Sequence, residues 1–193
     1  MLFIMQVLKP KIRSKILRVS EKHFFLYGFK DASMRKIAKD VGVSVSNLYR
    51  YYQNKLEMFI AVIDEYQKDF ISNYLNILTP KDEEFTPYLV TRISDVVFEA
   101  VKTDRRKFII LMEKCEGTPY AEFKNKIVSG LEDNIRLAVK DFYKEEFIIR
   151  VIAQNFIDGL LEISNYCKDD DSLYLNLKAL VSYHMKGILE FYK

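Results

Sequence analysis

Short polar side chains gather near residue 47, and they have the chemistry needed to read the bases of a nucleic-acid duplex. The amide of Asn47 can pair with adenine, and the Ser46 hydroxyl can bond to several base edges. The apolar Val45 can meet the methyl group of thymine, while Arg50 suits either a base or a phosphate. The predicted base contacts are Val45, Ser46, Asn47 and Arg50.

A second group of side chains in the same stretch suits the phosphate oxygens of a nucleic-acid backbone. Hydroxyl, guanidinium and ammonium groups donate hydrogen bonds to phosphate without reading sequence. Lys55 would also start a helix, where free backbone amides and a cation can bind one phosphate together. The predicted phosphate contacts are Ser33, Arg35, Tyr49, Tyr51 and Lys55.

The elements that must position these groups are two short helices joined by a four-residue turn at 41–44. Ser33 and Ser44 can each cap the start of one helix. Gly42 has no Cβ and can adopt the left-handed conformation that ends the first helix. Leu48 and Tyr52 lie four residues apart and share the face that packs inward. These features predict a helix-turn-helix.

The run 16–57, ILRVSEKHFFLYGFKDASMRKIAKDVGVSVSNLYRYYQNKLE, resembles the DNA-binding domain of TetR-type transcriptional regulators. The resemblance is carried by the pair Ile16 and Leu17, by Phe24 and Gly28, by the pair Ile37 and Ala38, by the GVS turn and by the LYRYYQNK ending. The departures from the family pattern are Ser20, His23, Ser46 and Asn47. The first two concern packing, with His23 expected to be a packed histidine, and the last two concern which bases are read.

The charge of the chain is divided unevenly along its length. Residues 1–55 contain 12 Lys and Arg against three acids, a net charge of +9, whereas residues 56–193 carry −6. A basic front suits a phosphate-binding head, because Lys and Arg near a duplex release condensed counterions. One alternative is an ordinary solvated basic face. Another is an interaction module whose basic head binds an acidic partner or an anionic membrane surface.

The rest of the chain shows helical periodicity and no strand-like alternation. Further helices are predicted over 10–27, 55–78, 87–102, 104–115, 120–143, 145–167 and 172–192. The expected fold class is therefore all-α. It comprises an N-terminal three-helix helix-turn-helix DNA-binding domain at 1–53 and a larger helical domain at 54–193. The resemblance implies that the second domain binds an effector and dimerises.

The last two predicted helices carry more apolar residues than a single core needs. Gly159 and Gly187 lie inside them at a cost of about 1 kcal/mol each relative to Ala, which is tolerable where helices approach closely. We predict a four-helix interface with the same pair of a second subunit, as the resemblance also implies. The alternative is two core helices of a monomer. The predicted interface residues are Ile152, Phe156, Gly159, Leu160, Leu177, Val181, His184, Met185 and Ile188.

Residues 54–193 hold 19 of the 27 Phe and Tyr residues. Most of these aromatic side chains must form core, and core packing is the alternative for each of them. The resemblance implies that some enclose a small apolar or aromatic effector. The candidate pocket residues are Phe98, Phe108, Met112, Tyr120, Phe123 and Phe156.

Other chemistry finds little support in the sequence. The two histidines and the two cysteines, Cys115 and Cys167, show no metal-ligand spacing, disulfide framework or catalytic set. No apolar run approaches the roughly 20 residues of a membrane span. We therefore expect no enzymatic activity, no metal, no cofactor and no membrane partner. The few cysteines fit a reducing cytoplasm.

Together with the resemblance, these observations predict a cytoplasmic homodimer that binds a palindromic operator in double-stranded DNA and represses transcription. Its two recognition helices would enter successive major grooves, roughly 34 Å apart. A small apolar effector of unknown identity would release the DNA.

Overall fold

The structure is a computed structural model that describes residues 9–74, 87–139 and 146–189, and every regular element in these ranges is an α-helix. The all-α fold class is therefore confirmed. The helices are α1 (Pro10–Asp31), α2 (Met34–Val41), α3 (Val45–Tyr51), α4 (Lys55–Tyr74), α5 (Pro87–Thr103), α6 (Arg105–Glu113), α7 (Phe123–Val139), α8 (Glu146–Tyr166) and α9 (Asp170–Leu189).

Helices α1 to α3 and the start of α4 enclose the core of the N-terminal head. Ile16 and Phe24 of α1 are fully buried. Ile37 of α2 and Leu48 of α3 are fully buried as well. Phe24 meets the Phe59 ring of α4 edge-on, with the centroids 5.0 Å apart. Burying each such side chain contributes about 1.5 to 3 kcal/mol. These apolar anchors therefore hold α2 and α3 in place.

The two residues that depart from the family pattern in packing both find partners. The buried Ser20 hydroxyl donates to the Met58 sulfur, 2.8 Å away, and so joins α1 to α4. His23 is buried, as predicted, and its Nε2 lies 2.7 Å from Asp40 Oδ2 of α2. Polar residues at these two positions are compatible with the core because each is hydrogen-bonded.

Helix α1 extends to Asp31, four residues beyond its predicted end, and it is kinked at Gly28. Gly28 has φ 70° and ψ 170°, which interrupts the helical hydrogen bonding. The next amide, that of Phe29, donates instead to the Lys114 carbonyl of the body at 2.8 Å. The kink therefore attaches the end of α1 to the segment that follows α6.

Helices α5 to α9 form the body. The most extensive packing is that of α5 on α9 and of α7 on α8. Arg105, at the start of α6, donates hydrogen bonds to the carbonyl oxygens of Ser164 and Cys167. A guanidinium at the C-terminal end of α8 satisfies orphan carbonyls and complements the helix dipole. This contact fixes α6 against α8.

Helix α4 belongs to both parts. Its first turns supply Met58 and Phe59 to the head, whereas Tyr66 and Phe70 lie in the body. The Tyr66 hydroxyl donates to the Ala100 carbonyl of α5 at 2.7 Å. The domain boundary predicted between residues 53 and 54 thus falls immediately before a helix whose first turns complete the head.

Two helices begin two or more residues away from their predicted starts. Helix α7 starts at Phe123 rather than at 120, because Thr118 and Tyr120 form a hydrogen-bonded turn before it. Helix α9 starts at Asp170 rather than at 172, because the Asp169 carboxylate accepts from the Ser172 amide at 2.8 Å. The helix ends predicted near 78, 143 and 192 lie outside the described residues.

Candidate nucleic-acid interface

The helix-turn-helix is formed by α2, a turn and α3. Gly42 adopts the left-handed conformation (φ 80°, ψ 35°), and its amide donates to the carbonyls of Ala38 and Lys39. The Ser44 hydroxyl then accepts from the Asn47 amide at 3.1 Å, which is the predicted N-cap of α3. The turn therefore ends one helix and begins the next within a few residues.

Helix α3 has a buried side and an exposed side. Leu48 is fully buried and Tyr52 is 3 % exposed, as their spacing predicts. The Tyr52 hydroxyl is buried and has no hydrogen-bond partner among the described residues. These two anchors fix the rotation of α3 about its axis, so Ser46, Tyr49 and Arg50 are exposed, while Val45 and Tyr51 are half-buried against the core.

The predicted base-contact residues lie together on the outer side of α3. Ser46 and Arg50 are exposed, whereas Val45 and Asn47 are half-buried. Ser46 Oγ also lies 3.0 Å from Ser44 Oγ, so the two hydroxyls share a hydrogen bond. Spacings of three and four residues place Arg50 over Asn47 and Ser46 on the helix surface. The four side chains thus form one small polar patch with an apolar edge.

The predicted phosphate-contact residues differ in exposure and in whether their polar groups already have hydrogen-bond partners. Arg35 and Tyr49 are exposed. Ser33 occupies the N-cap position of α2, but its hydroxyl makes no capping hydrogen bond, so this expected cap is absent. The Tyr51 hydroxyl accepts from the Lys9 amide at 3.2 Å, which brings the start of α1 beside the end of α3.

Lys55 has a structural role that the sequence did not predict. Its ammonium donates to the carbonyl oxygens of Lys30 at 2.9 Å and of Ala32 at 3.1 Å. It also lies 4.6 Å from the centroid of the Phe29 ring. Two of its three N–H donors are therefore engaged with the junction of α1 and α2. The sequence of residues 29–32 gave no sign that their carbonyl oxygens bind the Lys55 ammonium, because this contact depends on how α4 packs.

A variant of the capping box forms at the start of α4, with Asn54 at the N-cap and Glu57 three residues later. The Glu57 amide donates to Asn54 Oδ1 at 2.8 Å. The Glu57 carboxylate accepts from the Gln53 amide at 2.7 Å rather than from Asn54. The link between α3 and α4 is therefore tied at both of its ends.

The body encloses a cavity of about 30 Å³ with an entirely apolar lining. Its walls are Phe70, Val96, Val97, Ala100, Val101, Phe108, Met112, Ile127, Phe156, Ile157 and Leu160. Of the six candidate pocket residues, Phe108, Met112 and Phe156 line it. A space of this size holds about one water-sized sphere, whereas ligand pockets span roughly 300 to 1,000 Å³.

The other three candidate pocket residues pack elsewhere. The Phe98 ring stands edge-on to Tyr174, and the Tyr120 ring lies near Phe59. Phe123 is buried with its ring 5.8 Å from that of Phe70. Residue type alone did not separate these side chains from the cavity wall, because the wall is defined by how α4 to α8 pack.

The predicted dimer-interface residues divide into two groups. Phe156, Leu160, Leu177 and Val181 lie in the core of their own chain and are at most 7 % exposed, because their side of α8 and α9 packs inward. These four side chains are core residues of their own chain and offer little surface to a second subunit. The half-exposed residues are Ile152, Gly159, His184, Met185 and Ile188.

The two glycines of α8 and α9 meet different surroundings. A Cβ built on Gly159 would lie only 3.0 Å from Leu180 Cδ1, so this glycine permits close packing of α8 on α9 within one chain. A Cβ on Gly187 would meet nothing within 4 Å. Burial lowers the pKa of the nearby His184, whose ring lies against Phe156.

Other kinds of site find no support within 9–74, 87–139 and 146–189. No three His, Cys, Asp or Glu side chains come together as a metal site there. No helix in these ranges is long and apolar enough to cross a membrane. The Cys115 thiol donates to the Leu111 and Tyr120 carbonyls, and burial raises its pKa to about 11.

Known proteins similar in sequence to this chain match its N-terminal head. Residues 16–62 match the family described as bacterial regulatory proteins, tetR family. HTH-type transcriptional regulator SAB2452 of Staphylococcus aureus (strain bovine RF122 / ET3-1) is 28 % identical over 101 residues, which cover 52 % of this chain and 53 % of that protein. The chain therefore spans about half the length of the curated relatives that it matches.

Solved structures extend the likeness to the body. A TetR-family transcriptional regulator from Bordetella parapertussis 12822 has a TM-score of 0.66 at 16 % identity, covering 90 % of this chain and 95 % of that one. AibR, solved in complex with isovaleryl coenzyme A and operator DNA, has a TM-score of 0.59 at 20 % identity, covering 87 % and 96 %. At these identities the likeness shows the fold, which extends over head and body together. The head thus matches the tetR family of bacterial regulatory proteins over residues 16–62, and the whole chain has a fold similar to that of solved TetR-family regulators.

Proposed function

We propose that this protein is a DNA-binding transcriptional repressor that a small apolar effector releases from a palindromic operator. The observation that carries the proposal is the outer side of α3. A capped helix start presents Val45, Ser46 and Asn47 together, while Leu48 and Tyr52 anchor the opposite side. A rigid helix with short polar side chains at its start suits the major groove, which admits an α-helix.

Within this proposal, the head binds DNA through two sets of contacts. Val45, Ser46 and Asn47 contact base edges, and Arg50 contacts either a base or a phosphate. Ser33, Arg35, Tyr49 and Tyr51 hold phosphates on either side of the groove. Lys55 binds a DNA phosphate with its third N–H donor, while the other two donors bond to the carbonyl oxygens of Lys30 and Ala32 at the end of α1.

The protein acts as a homodimer in this proposal, through the exposed sides of α8 and α9. Ile152, His184 and Ile188 are half-exposed on these two helices, and the His184 ring contacts the ring of Tyr183, a residue that is 74 % exposed. An apolar patch of this kind on paired helices suits a four-helix interface. The open space around Gly187 leaves room there for the backbone of a partner helix.

Substitution at Tyr183 tests the dimer. Because its ring is mostly exposed, Tyr183→Glu should leave the folding of a single chain intact and convert the protein to a monomer by sedimentation velocity. Tyr88→Glu, at an equally exposed tyrosine of α5, is the matched control. A wild-type protein that sediments as a monomer would contradict the proposed dimer.

The effector enters the proposal through the apolar cavity of the body. A cavity of about 30 Å³ cannot hold a drug-sized molecule, so binding must open it by moving its walls. Phe70 of α4 belongs to those walls, and α4 also carries core residues of the head. Release of DNA requires the effector to bind the opened arrangement more tightly than the DNA-bound one.

Footprinting on the DNA that flanks the gene, repeated with a panel of lipophilic compounds, tests the proposal as a whole. Once a site is found, Asn47→Ala should relax base preference at one position by about 1 to 3 kcal/mol. Arg35→Gln should weaken binding to operator and random duplex alike, and should lower the salt slope by about one unit. Equal losses on both duplexes for Asn47→Ala would count against its base-reading role.

A different outcome would favour the other interpretation of the basic head. If the purified protein is retained by anionic vesicles and not by any duplex, the head is an interaction surface rather than a DNA reader.

A further inference from the structure

A row of four cations runs along one side of α1. Lys11, Lys15, Arg18 and Lys22 follow one another at spacings of four, three and four residues, and all four are exposed. At 3.6 residues per turn, these positions fall within roughly 60° around the helix axis. We call this row the α1 cation row.

The α1 cation row keeps its charge free. Within the described part of the chain, none of its four members forms an ion pair, and Glu21, the acid beside Lys22 in the chain, pairs instead with Arg106 of α6 at 3.6 Å. Like charges at these spacings repel by about 0.2 to 0.5 kcal/mol per pair. An anionic partner along the row would remove that repulsion.

The start of the row lies beside the recognition helix. The Lys9 amide donates to the Tyr51 hydroxyl at the end of α3. A Cβ built on Gly42, in the turn before α3, would lie 4.0 Å from Lys15 Nζ. The first turns of α1 therefore approach the end of α3 and the turn before it, and the row begins next to the surface that presents α3.

We infer that the α1 cation row is a second phosphate-binding track, which adds affinity for any duplex and no sequence preference. This inference rests on the proposed function. Charge complementarity and continuity with the α3 surface favour duplex DNA as the occupant. Lysine ammonium groups act on phosphates as point charges, and each phosphate neutralised adds about 0.9 to the salt slope.

A pair of charge-matched double variants tests the inference. Lys11→Gln with Lys15→Gln removes the two cations beside α3. Lys126→Gln with Lys168→Gln removes two exposed cations of the body and changes the net charge equally. Binding of operator and of scrambled duplex would be measured from 0.05 to 0.3 M salt. Circular dichroism would confirm equal helix content in the variants.

The first double variant should bind both duplexes more weakly by the same factor. Removing two phosphate contacts should lower the slope of log affinity against log salt by about 1.8. If variant and wild type bind equally at 1 M salt, the variant should bind roughly 60-fold more weakly at 0.1 M salt. The control variant should keep the wild-type slope. Arg18→Gln with Lys22→Gln, further from α3, should lose less.

Several results would overturn the inference. A wild-type slope for Lys11→Gln with Lys15→Gln would show that the row does not touch DNA, while the proposed function would stand. An equal loss of duplex affinity in Lys126→Gln with Lys168→Gln would show that the effect comes from the net charge of the protein and not from the row. Loss of binding to phosphatidylserine vesicles with unchanged duplex binding would assign the row to a membrane surface. A wild-type protein that binds no duplex would remove the proposed function as well.

Discussion

The outer side of α3 and the cavity of the body show two different ways of making a binding site. The surface of α3 is complete in this structure, because a cap and two buried anchors fix seven residues of one short helix. The cavity of about 30 Å³ is instead a gap between side chains of several helices, too small for a ligand. Under the proposed function, the surface of α3 would meet DNA without rearrangement, whereas the body would have to change shape to accept an effector.

The two regions meet at the kink of α1. Phe29 donates its amide to Lys114, and Lys30 forms an exposed ion pair with Glu116 at 3.2 Å. Nearby, burial raises the pKa of Glu21, and the charge of Asp104 adds to that effect. Under the proposed function, a change of shape in the body would reach the head through this segment, which Lys55 holds on the head side, as well as through α4.

The largest expected effect comes from enlarging the cavity. Phe108 is 1 % exposed and lines it, so Phe108→Ala should lower the free energy of unfolding by about 3 to 5 kcal/mol. Benzene should then bind the enlarged space and raise Tm, because an apolar cavity stays dry. Thermal unfolding with and without benzene measures both. An absence of any rise in Tm would show that the body closes around the gap.

Removing the anchor of α3 should have a comparable effect in the head. Leu48→Ala should cost about 2 to 5 kcal/mol and should abolish duplex binding, because α3 loses its fully buried side chain. Sedimentation velocity should still show the wild-type oligomer. Retained operator affinity in a gel-shift assay would mean that α3 does not depend on this packing.

A smaller difference is expected between the two serines at helix starts. Ser44→Ala should destabilise the protein by about 1 kcal/mol, since its hydroxyl accepts from the Asn47 amide. Ser33→Ala should cost less than about 0.5 kcal/mol, since that hydroxyl makes no cap. Urea unfolding of both variants gives the comparison. Equal losses would refute this account of the caps.

The smallest perturbation concerns the cysteines. The Cys115 pKa of about 11 leaves roughly one thiol in a thousand ionised at pH 8, and ionisation rises only as the pH approaches that pKa. Cys167 is half-exposed. Iodoacetamide at pH 8 should therefore modify Cys167 alone by mass spectrometry, with no change in Tm. Modification of Cys115 at the same rate would show that the body opens readily.

The head was predictable from sequence because its signals are local. Gly42, Ser44, Leu48 and Tyr52 adopt the conformations and burial that their spacing indicates. Ser33 shows the limit, because a residue of the capping type at a helix start still made no cap. The direction of the Lys55 ammonium also depended on a distant carbonyl pair that no local pattern encodes.

The body was predictable as helices and much less as a site. Leu177 and Val181 were assigned to a subunit interface by their apolar character, yet they pack against their own chain. Phe98 and Phe108 have the same residue type, but only Phe108 reaches the cavity. Which face of an apolar helix meets which neighbour is a tertiary property, so periodicity alone could not settle it.

The sharing of α4 between head and body restricts where this protein can be recombined with others. A chimera joined at residue 54 would bring Met58 and Phe59 from a foreign chain, and both complete the core of the head against α1. A junction placed between Val62 and Tyr66 keeps the head with its own packing and the Tyr66 hydroxyl with Ala100. Graft sites for new specificities therefore lie about two to three turns inside the helix, not in the loop before it.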